Sequence, residues 1–381
     1  MTAVDKEEDD NNNNNIREKM SRAKFLKLLG ISSGFVLGLS SLDKLLINIK
    51  ALAGGRIVTP GKALALDQAA TPLQQPFAYI IYKRGLETIA QKYDGSDPIQ
   101  SPISEVVIQD ALNDPGPLDD PSGRRTGPGN IHILDGIYDL SSSFQGFFLR
   151  SFTTLTLSPQ AVIRVPNGYA GQVFILASEK DRYVSDCTID GGDIREMGPY
   201  PQRKWTAILL YGGRDGVLFN KFMNTTIRSA KIGIQLVATS DPKAPPGSPL
   251  IDGGWVNGNL FEGLKMWAND VFIDFVMDGP YLPDRGDNNI TGIHRNRFIN
   301  IECQSDSNTI HGVRNIKHDG NSFMNVNIWD IDKGSPGAVI SNIQPDARGT
   351  IIISGIMTGQ GFSDQGKATK IIDDNNPSPF L

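Results

Sequence analysis

From about Pro76 onwards the chain alternates apolar and polar residues in short runs, with Gly, Asp, Asn and Pro between one run and the next. Examples are I-H-I-L-D-G-I-Y-D-L (131–140), S-F-T-T-L-T-L (151–157), A-V-I-R-V-P (161–166) and V-F-I-L-A (173–177). A period of two with such punctuation predicts strands. One stretch has a helical pattern, Ser104 to Leu112, with Val106, Val107, Ile108 and Leu112 on one side and Ser104 placed to cap the first turn. No second long helical pattern follows, so the chain is expected to be all-β with a single helix near the start.

Within the strand-rich body one unit recurs, with Asn first, Phe third and apolar residues at alternate positions. It reads Asn220-Lys-Phe222-Met-Asn224-Thr-Thr-Ile227, Asn259-Leu-Phe261-Glu-Gly263-Leu-Lys-Met266, Asn296-Arg-Phe298-Ile-Asn300-Ile-Glu-Cys303 and Asn321-Ser-Phe323-Met-Asn325-Val-Asn-Ile328. The fifth position is always Asn or Gly, and the eighth is apolar. Alternation says strand, while Asn or Gly at fixed points says a tight bend in the left-handed backbone region. The last two units start 25 residues apart, typical of a supersecondary unit that stacks on its neighbours to bury its apolar face. The earlier spacings of 39 and 37 residues imply inserted loops, notably 241–251 and 279–289. Stacked strands of this kind make a solenoid. A β-propeller is the alternative, and the hairpin signals it needs are too few.

The order of one amphipathic helix, then G-N-I-H-I-L-D-G-I-Y-D-L-S-S-S, T-L-T-L-S-P-Q-A-V-I and V-S-D-C-T-I-D-G-G resembles the opening of the pectate-lyase-like, right-handed parallel β-helix superfamily. The resemblance covers about residues 76–362. It implies a single-stranded solenoid in which a helix caps the first coil and each coil adds a strand to three parallel sheets, with about ten coils of about 25 residues. It implies little about activity, since the superfamily includes lyases, hydrolases, epimerases and phage tailspikes. Of the polygalacturonase-like signatures N-T-D, D-D, G-H-G and R-I-K only N-I-K at 315–317 is approached, and the R-x-P-x-x-R stretch of pectate lyases is absent.

Ahead of the body the texture differs. Residues 1–19, acidic and with five consecutive Asn, have no apolar period and read as a disordered tail. Residues 20–53 run from basic to apolar to small, the order of an export signal that is either cleaved after Ala53 or retained as a membrane anchor. Within them Ser21-Arg22-Ala23-Lys24-Phe25-Leu26-Lys27 resembles the twin-arginine motif S-R-R-x-F-L-K, with Ala23 where the second arginine stands. Residues 54–75 read as a linker, 76–364 as the β-helix and 365–381 as a C-terminal tail. This organisation predicts an exported, extracellular or cell-surface protein. Its 381 residues carry 37 Lys and Arg against 42 Asp and Glu, a net charge of −5, and lack the basic stripe that a phosphate backbone requires. Nucleic acid is therefore not an expected partner.

Candidate chemistry is sparse. Cys187 and Cys303 both fall on inward positions, about three rungs or 14 Å apart, against the limit of about 7 Å between Cα atoms in a disulfide, so two buried free thiols are expected. Asp186 and Asp190 project from one strand about 13 Å apart, beyond the roughly 5 to 9.5 Å of a glycosidase pair, whereas Asp190 and Asp193 flank a Gly-Gly bend and can converge. Lys317, His318 and Asp319 offer a base, an acid and an orienting carboxylate, with Arg314 beside them. The histidines show no metal-ligand spacing, and calcium is the one cation carbohydrate chemistry of this type would call for. Trp255, Trp267, Tyr281 and Trp329 lie in or beside the repeat units, Trp267 on an outward position, and such rings stack on sugars.

These residues support a β-helix that binds a polysaccharide or surface glycan along one face. Two rivals stand beside it: a lyase or hydrolase with an atypical site at Asp190 and Asp193 or at Lys317, His318 and Asp319, and a spike-like envelope module whose edges pack into a homo-oligomer. Converging acidic groups in a groove favour the enzyme, and a flat face of Asn and aromatics favours binding.

Overall fold

The computed structural model describes residues 78–114, 127–178, 183–213, 215–239, 254–278, 292–356 and 362–372. The tail 1–19, the leader 20–53, the linker 54–75, the loops at 241–251 and 279–289, and Tyr281 lie outside these residues. Among the described residues no helix is long and apolar enough to cross a membrane.

Strands β1 (Tyr79–Arg84), β2 (Glu87–Lys92) and β3 (Ile99–Ser101) form an antiparallel lead-in, and helix α1 (Ser104–Asn113) follows. The helix buries Val107, Ile108, Ala111 and Leu112, but Val106 is 42% exposed, because a step of one residue turns a side chain by about 100° off the buried face. Nor does Ser104 cap the helix. The cap position is Ile103, without a side-chain bond, and the Ser104 hydroxyl is taken by Thr88 Oγ1 at 3.0 Å and Lys83 Nζ at 2.9 Å.

From β4 (Asn130–Ile133) onwards every described pairing is parallel. Strands β5 (Gly136–Asp139), β6 (Phe147–Phe148), β7 (Thr154–Val165) and β8 (Gln172–Ala177) lead into a regular turn of β9 (Val184–Ser185), β10 (Thr188–Glu196) and β11 (Thr206–Gly212). The next turn is β12 (Gly216–Leu218), β13 (Lys221–Met223), β14 (Thr226–Arg228) and β15 (Ile232–Thr239). After it come β16 (Trp255–Asn257), β17 (Leu260–Glu262), β18 (Lys265–Trp267) and β19 (Val271–Asp278), then β20 (Gly292–His294), β21 (Arg297–Gln304) and β22 (His311–Ile316). Strands β23 (Ser322–Trp329), β24 (Val339–Ile343), β25 (Ile351–Ile356), β26 (Phe362–Asp364) and β27 (Lys370–Ile372) complete the series.

These strands enter three sheets in rotation. The long sheet contains β10, β13, β14, β17, β18, β21, β23, β25 and β27, the second runs from β6 to β26, and the third holds β9, β12, β16 and β20. The chain is thus a solenoid of parallel strands. Strand β27 pairs with β25, so the sheet continues past residue 364 into what reads as a tail. In the 25-residue turn the third sheet continues only as the single bridges Asp319–Arg348 and Arg348–Lys367.

Side-chain columns hold the turns together. The third-position rings Phe222, Phe261, Phe298 and Phe323 stack at 4.9, 4.8 and 4.9 Å with interplanar angles of 9°, 4° and 7°. That spacing is the inter-strand distance itself, and each pair adds about 0.5–1.5 kcal/mol beyond its burial. The fifth-position residues Asn224, Gly263, Asn300 and Asn325 all have positive φ, from 51° to 66°, the left-handed bend that the repeat predicts.

The first-position asparagines do something else. Asn220, Asn259, Asn296 and Asn321 are 0% exposed and form a ladder. Asn259 Oδ1 accepts from the Asn220 N–H and Nδ2, both at 3.0 Å, while its own Nδ2 donates to Val217 O at 3.0 Å and Asn296 Oδ1 at 2.9 Å. Every amide hydrogen and acceptor site is used, as burial demands. The accompanying left-handed bend lies one residue earlier, at Phe219, Gly258, Arg295 and Gly320. Cys187 closes this ladder, donating its N–H to Asn220 Oδ1 at 2.9 Å.

Candidate functional site

Both cysteines are free and buried, as their positions predict. Burial pushes the Cys187 thiol up to about 12 and the Cys303 thiol well above its ordinary value, so neither is a nucleophile at neutral pH.

The remaining candidates separate onto different sheets. Trp255 begins β16 in the third sheet, half-buried. Arg314 lies on β22 in the second sheet and forms a fork on Asp274, Nε to Oδ1 at 2.8 Å and Nη2 to Oδ2 at 2.7 Å. Asp274 is fully buried, so this guanidinium is committed to neutralising it. His318 is 0% exposed, with Nδ1 accepting the Ile293 N–H at 2.8 Å and Nε2 lying 3.7 Å from Asp346. Burial, then the charges of His294 and Lys317, pull its pKa down to about 3, which keeps the ring neutral. Lys317 is half-buried beside it, its carbonyl accepting from Asn321 Nδ2 at 2.8 Å, and the Asp319 carbonyl accepts the Arg295 N–H at 2.9 Å. The backbone of this cluster is hydrogen-bonded to its neighbours, while the buried Asp319 Oδ1 has no partner.

Asp190 and Asp193 share β10 with a bulge between them, and each has its own partner. Asp190 Oδ1 accepts from Asn224 Nδ2 at 2.8 Å, and Asp193 lies 3.3 Å from Arg228 and 3.7 Å from Arg195. Among the described residues no group of three or more His, Cys, Asp or Glu is placed to hold a metal.

Trp267 and Trp329 are brought together. In the long sheet Trp267 pairs with Gln304, and Gln304 with Trp329, so the two indoles occupy one outward column two rungs apart. Each follows a buried residue, Met266 or Ile328, which turns it outward, and the indoles are 40% and 46% exposed. The Arg228 guanidinium sits 4.1 Å over the Trp267 ring. Traced backwards, the same column continues through Arg228, Arg195, Arg164 and Asp139, each next to a buried apolar residue. Sequence reasoning missed these arginines. Their signal is the dipeptide Ile-Arg at 163–164, 194–195 and 227–228, in which the isoleucine points in and the arginine out.

No protein-family model matches the chain, and no curated protein matches it. Among solved structures it is similar to a surface adhesin of Streptococcus pneumoniae, PfbA, at a TM-score of 0.41 and 14% identity over 66% of this chain and 57% of that one. It is also similar to ORF18 of Geobacillus virus E2, with a TM-score of 0.32 and 14% identity over 70% and 56%. The A-module of a mannuronan C-5 epimerase of Azotobacter vinelandii gives 0.19 and 12% over 71% and 92%. The chain spans only 57% and 56% of the first two proteins.

Proposed function

We propose that the protein is an exported or cell-surface β-helix that holds a polysaccharide along the outer face of its long sheet. The observation that carries this reading is the column in which Trp267 and Trp329 stand exposed two rungs apart on a rigid sheet. Exposed indoles at fixed spacing give a sugar chain apolar platforms at small entropic cost. Holding is favoured over cleaving because Asp190 is bonded to Asn224, Asp193 lies beside two arginines and His318 is in the interior, which leaves Asp319, with its buried Oδ1 unpartnered, as the one uncommitted carboxylate among the candidates. The reading includes the finer features expected of the sequence, namely an export leader in 20–53, right-handed winding through about ten coils and α1 as the cap of the first.

The test is to titrate the full chain with neutral and acidic polysaccharides, with and without calcium, following tryptophan fluorescence and the release of reducing or unsaturated ends. Saturable binding without new ends is expected, weakened about tenfold or more by Trp267→Ala with Trp329→Ala. New ends would make the protein a lyase or hydrolase, and binding indifferent to both substitutions would remove the column from the reading.

A further inference from the structure

Where each turn enters the long sheet, one residue takes the left-handed conformation: Phe152, Asp186, Phe219, Gly258, Arg295 and Gly320, at φ 63°, 58°, 56°, 68°, 52° and 67°. They form one column on consecutive rungs. The Phe152 N–H donates to Ser185 O at 3.0 Å, Phe219 to Asn257 O and Gly258 to His294 O at 3.1 Å, and Arg295 to Asp319 O at 2.9 Å, while Ser185 is in register with Leu218. Glycine takes this conformation freely, and phenylalanine is strained in it. Yet both phenylalanines keep their rings on the surface, 43% and 57% exposed. Strained, exposed rings on one corner point to a partner that covers them.

The order of the column identifies that partner. Reversed about a point midway between Phe219 and Gly258, it is its own complement: Phe219 falls opposite Gly258, Asp186 opposite Arg295 and Phe152 opposite Gly320. Asp186 and Arg295 are both exposed, and among the described residues neither enters an ion pair. The flanking columns obey the same reversal. On the third sheet Trp255 is in register with Gly216 and Leu218 with Asn257. On the long sheet Lys221 falls opposite Leu260, and Thr188 opposite Arg297, so no like charges meet. The rings also lean towards the point of reversal. A Cβ on Gly258 would stand 2.8 Å from the Phe219 ring, and one on Gly216 would stand 2.2 Å from Trp255 Nε1.

We infer that this corner is the interface of a two-fold dimer, in which a second copy of the chain lies antiparallel along it. A two-fold interface uses one patch twice, so that residue i meets j and j meets i, and this column has that symmetry. Phe219 and Trp255 of both copies cluster on the axis as the apolar centre, and Asp186 of each copy pairs with Arg295 of the other at the two ends. The exposed indoles of Trp267 and Trp329 stand beyond the next bend, at Asn224, Gly263, Asn300 and Asn325, so the inference does not depend on the glycan reading.

The experiment is sedimentation equilibrium of the full chain over a range of concentrations. A reversible dimer of twice the 41.5 kDa chain mass is expected. Phe219→Asn removes the ring and suits the left-handed backbone, so it should melt no lower than the unaltered chain while dimerising about tenfold less tightly. Asp186→Arg alone and Arg295→Asp alone each place like charges together and should weaken the dimer about tenfold or more, whereas the two swaps combined should restore it. A monomer at every concentration up to the solubility limit overturns the inference. So does a trimer, or a dimer indifferent to Phe219→Asn and to each single swap, which association through the leader or the ends of the solenoid would give. Weakening by the single swaps without rescue by their combination overturns it as well, because the pairing of Asp186 with Arg295 is what fixes the antiparallel register.

Discussion

Individual buried polar side chains set how much this fold can tolerate. Replacing Asn259 with Ala leaves the Asn220 amide groups without their acceptor and the Val217 carbonyl without its donor, inside a column with no access to water. The expected cost is about 2–4 kcal/mol, read from urea denaturation. His318 makes stability depend on pH. Its pKa is about 3 in the folded chain and 6.5 when unperturbed, so between those values the unfolded chain takes up a proton that the folded one refuses. Stability is therefore full above pH 6.5 and falls as the pH drops towards 3, by up to roughly 4–5 kcal/mol from this residue. His318→Asn, which suits the left-handed backbone at φ 58°, should flatten that slope between pH 7 and 4 in denaturation midpoints. The inward Phe and the left-handed fifth position follow from alternation and from residue type, and both are readable in the sequence. The buried asparagine ladder is not. Asn ordinarily marks turns or surface, and only the stacking of one turn on the next supplies the partners that let it stay inside.

Strand β10 shows what a local break does for an element. Gly191 and Gly192, at φ 85° and 78°, lie within the strand where its register against β7 shifts, and they place Asp190 and Asp193 on either side of a bulge. A Cβ on Gly191 would stand 2.2 Å from the Leu157 carbonyl oxygen. Gly191→Ala is accordingly expected to destabilise the chain by about 2–3 kcal/mol, through a strained φ and a displaced β7, measurable as a lowered denaturation midpoint. In the sequence this Gly-Gly pair reads as a bend between two carboxylates. The bulge is invisible there, because the strand resumes on the same sheet with Ile194 inward and Arg195 outward. That resumption sends Asp193 to the arginine column and Asp190 to Asn224, so nearness in sequence does not become one acidic site. The helix is a smaller instance: its apolar residues announce it, yet which of Val106 and Val107 faces inward depends on where β2 and β3 lie.

For the whole molecule, the solenoid converts sequence repeats into straight lanes, and function is read across turns. The repeat units and their spacing were enough to expect stacked parallel strands. They did not reveal that Trp267, Trp329 and three arginines share one column while Trp255 and Arg314 belong to other sheets, since that depends on the register of each turn. The most direct test of the central claim is oxidative footprinting by mass spectrometry on the full chain with and without the polysaccharide that binds it most tightly in the titration above. Protection should appear at Trp267 and Trp329, with no change at Tyr93, which is 55% exposed just past the end of β2. Oxidation of both indoles at the same rate when the polymer is bound would contradict the account.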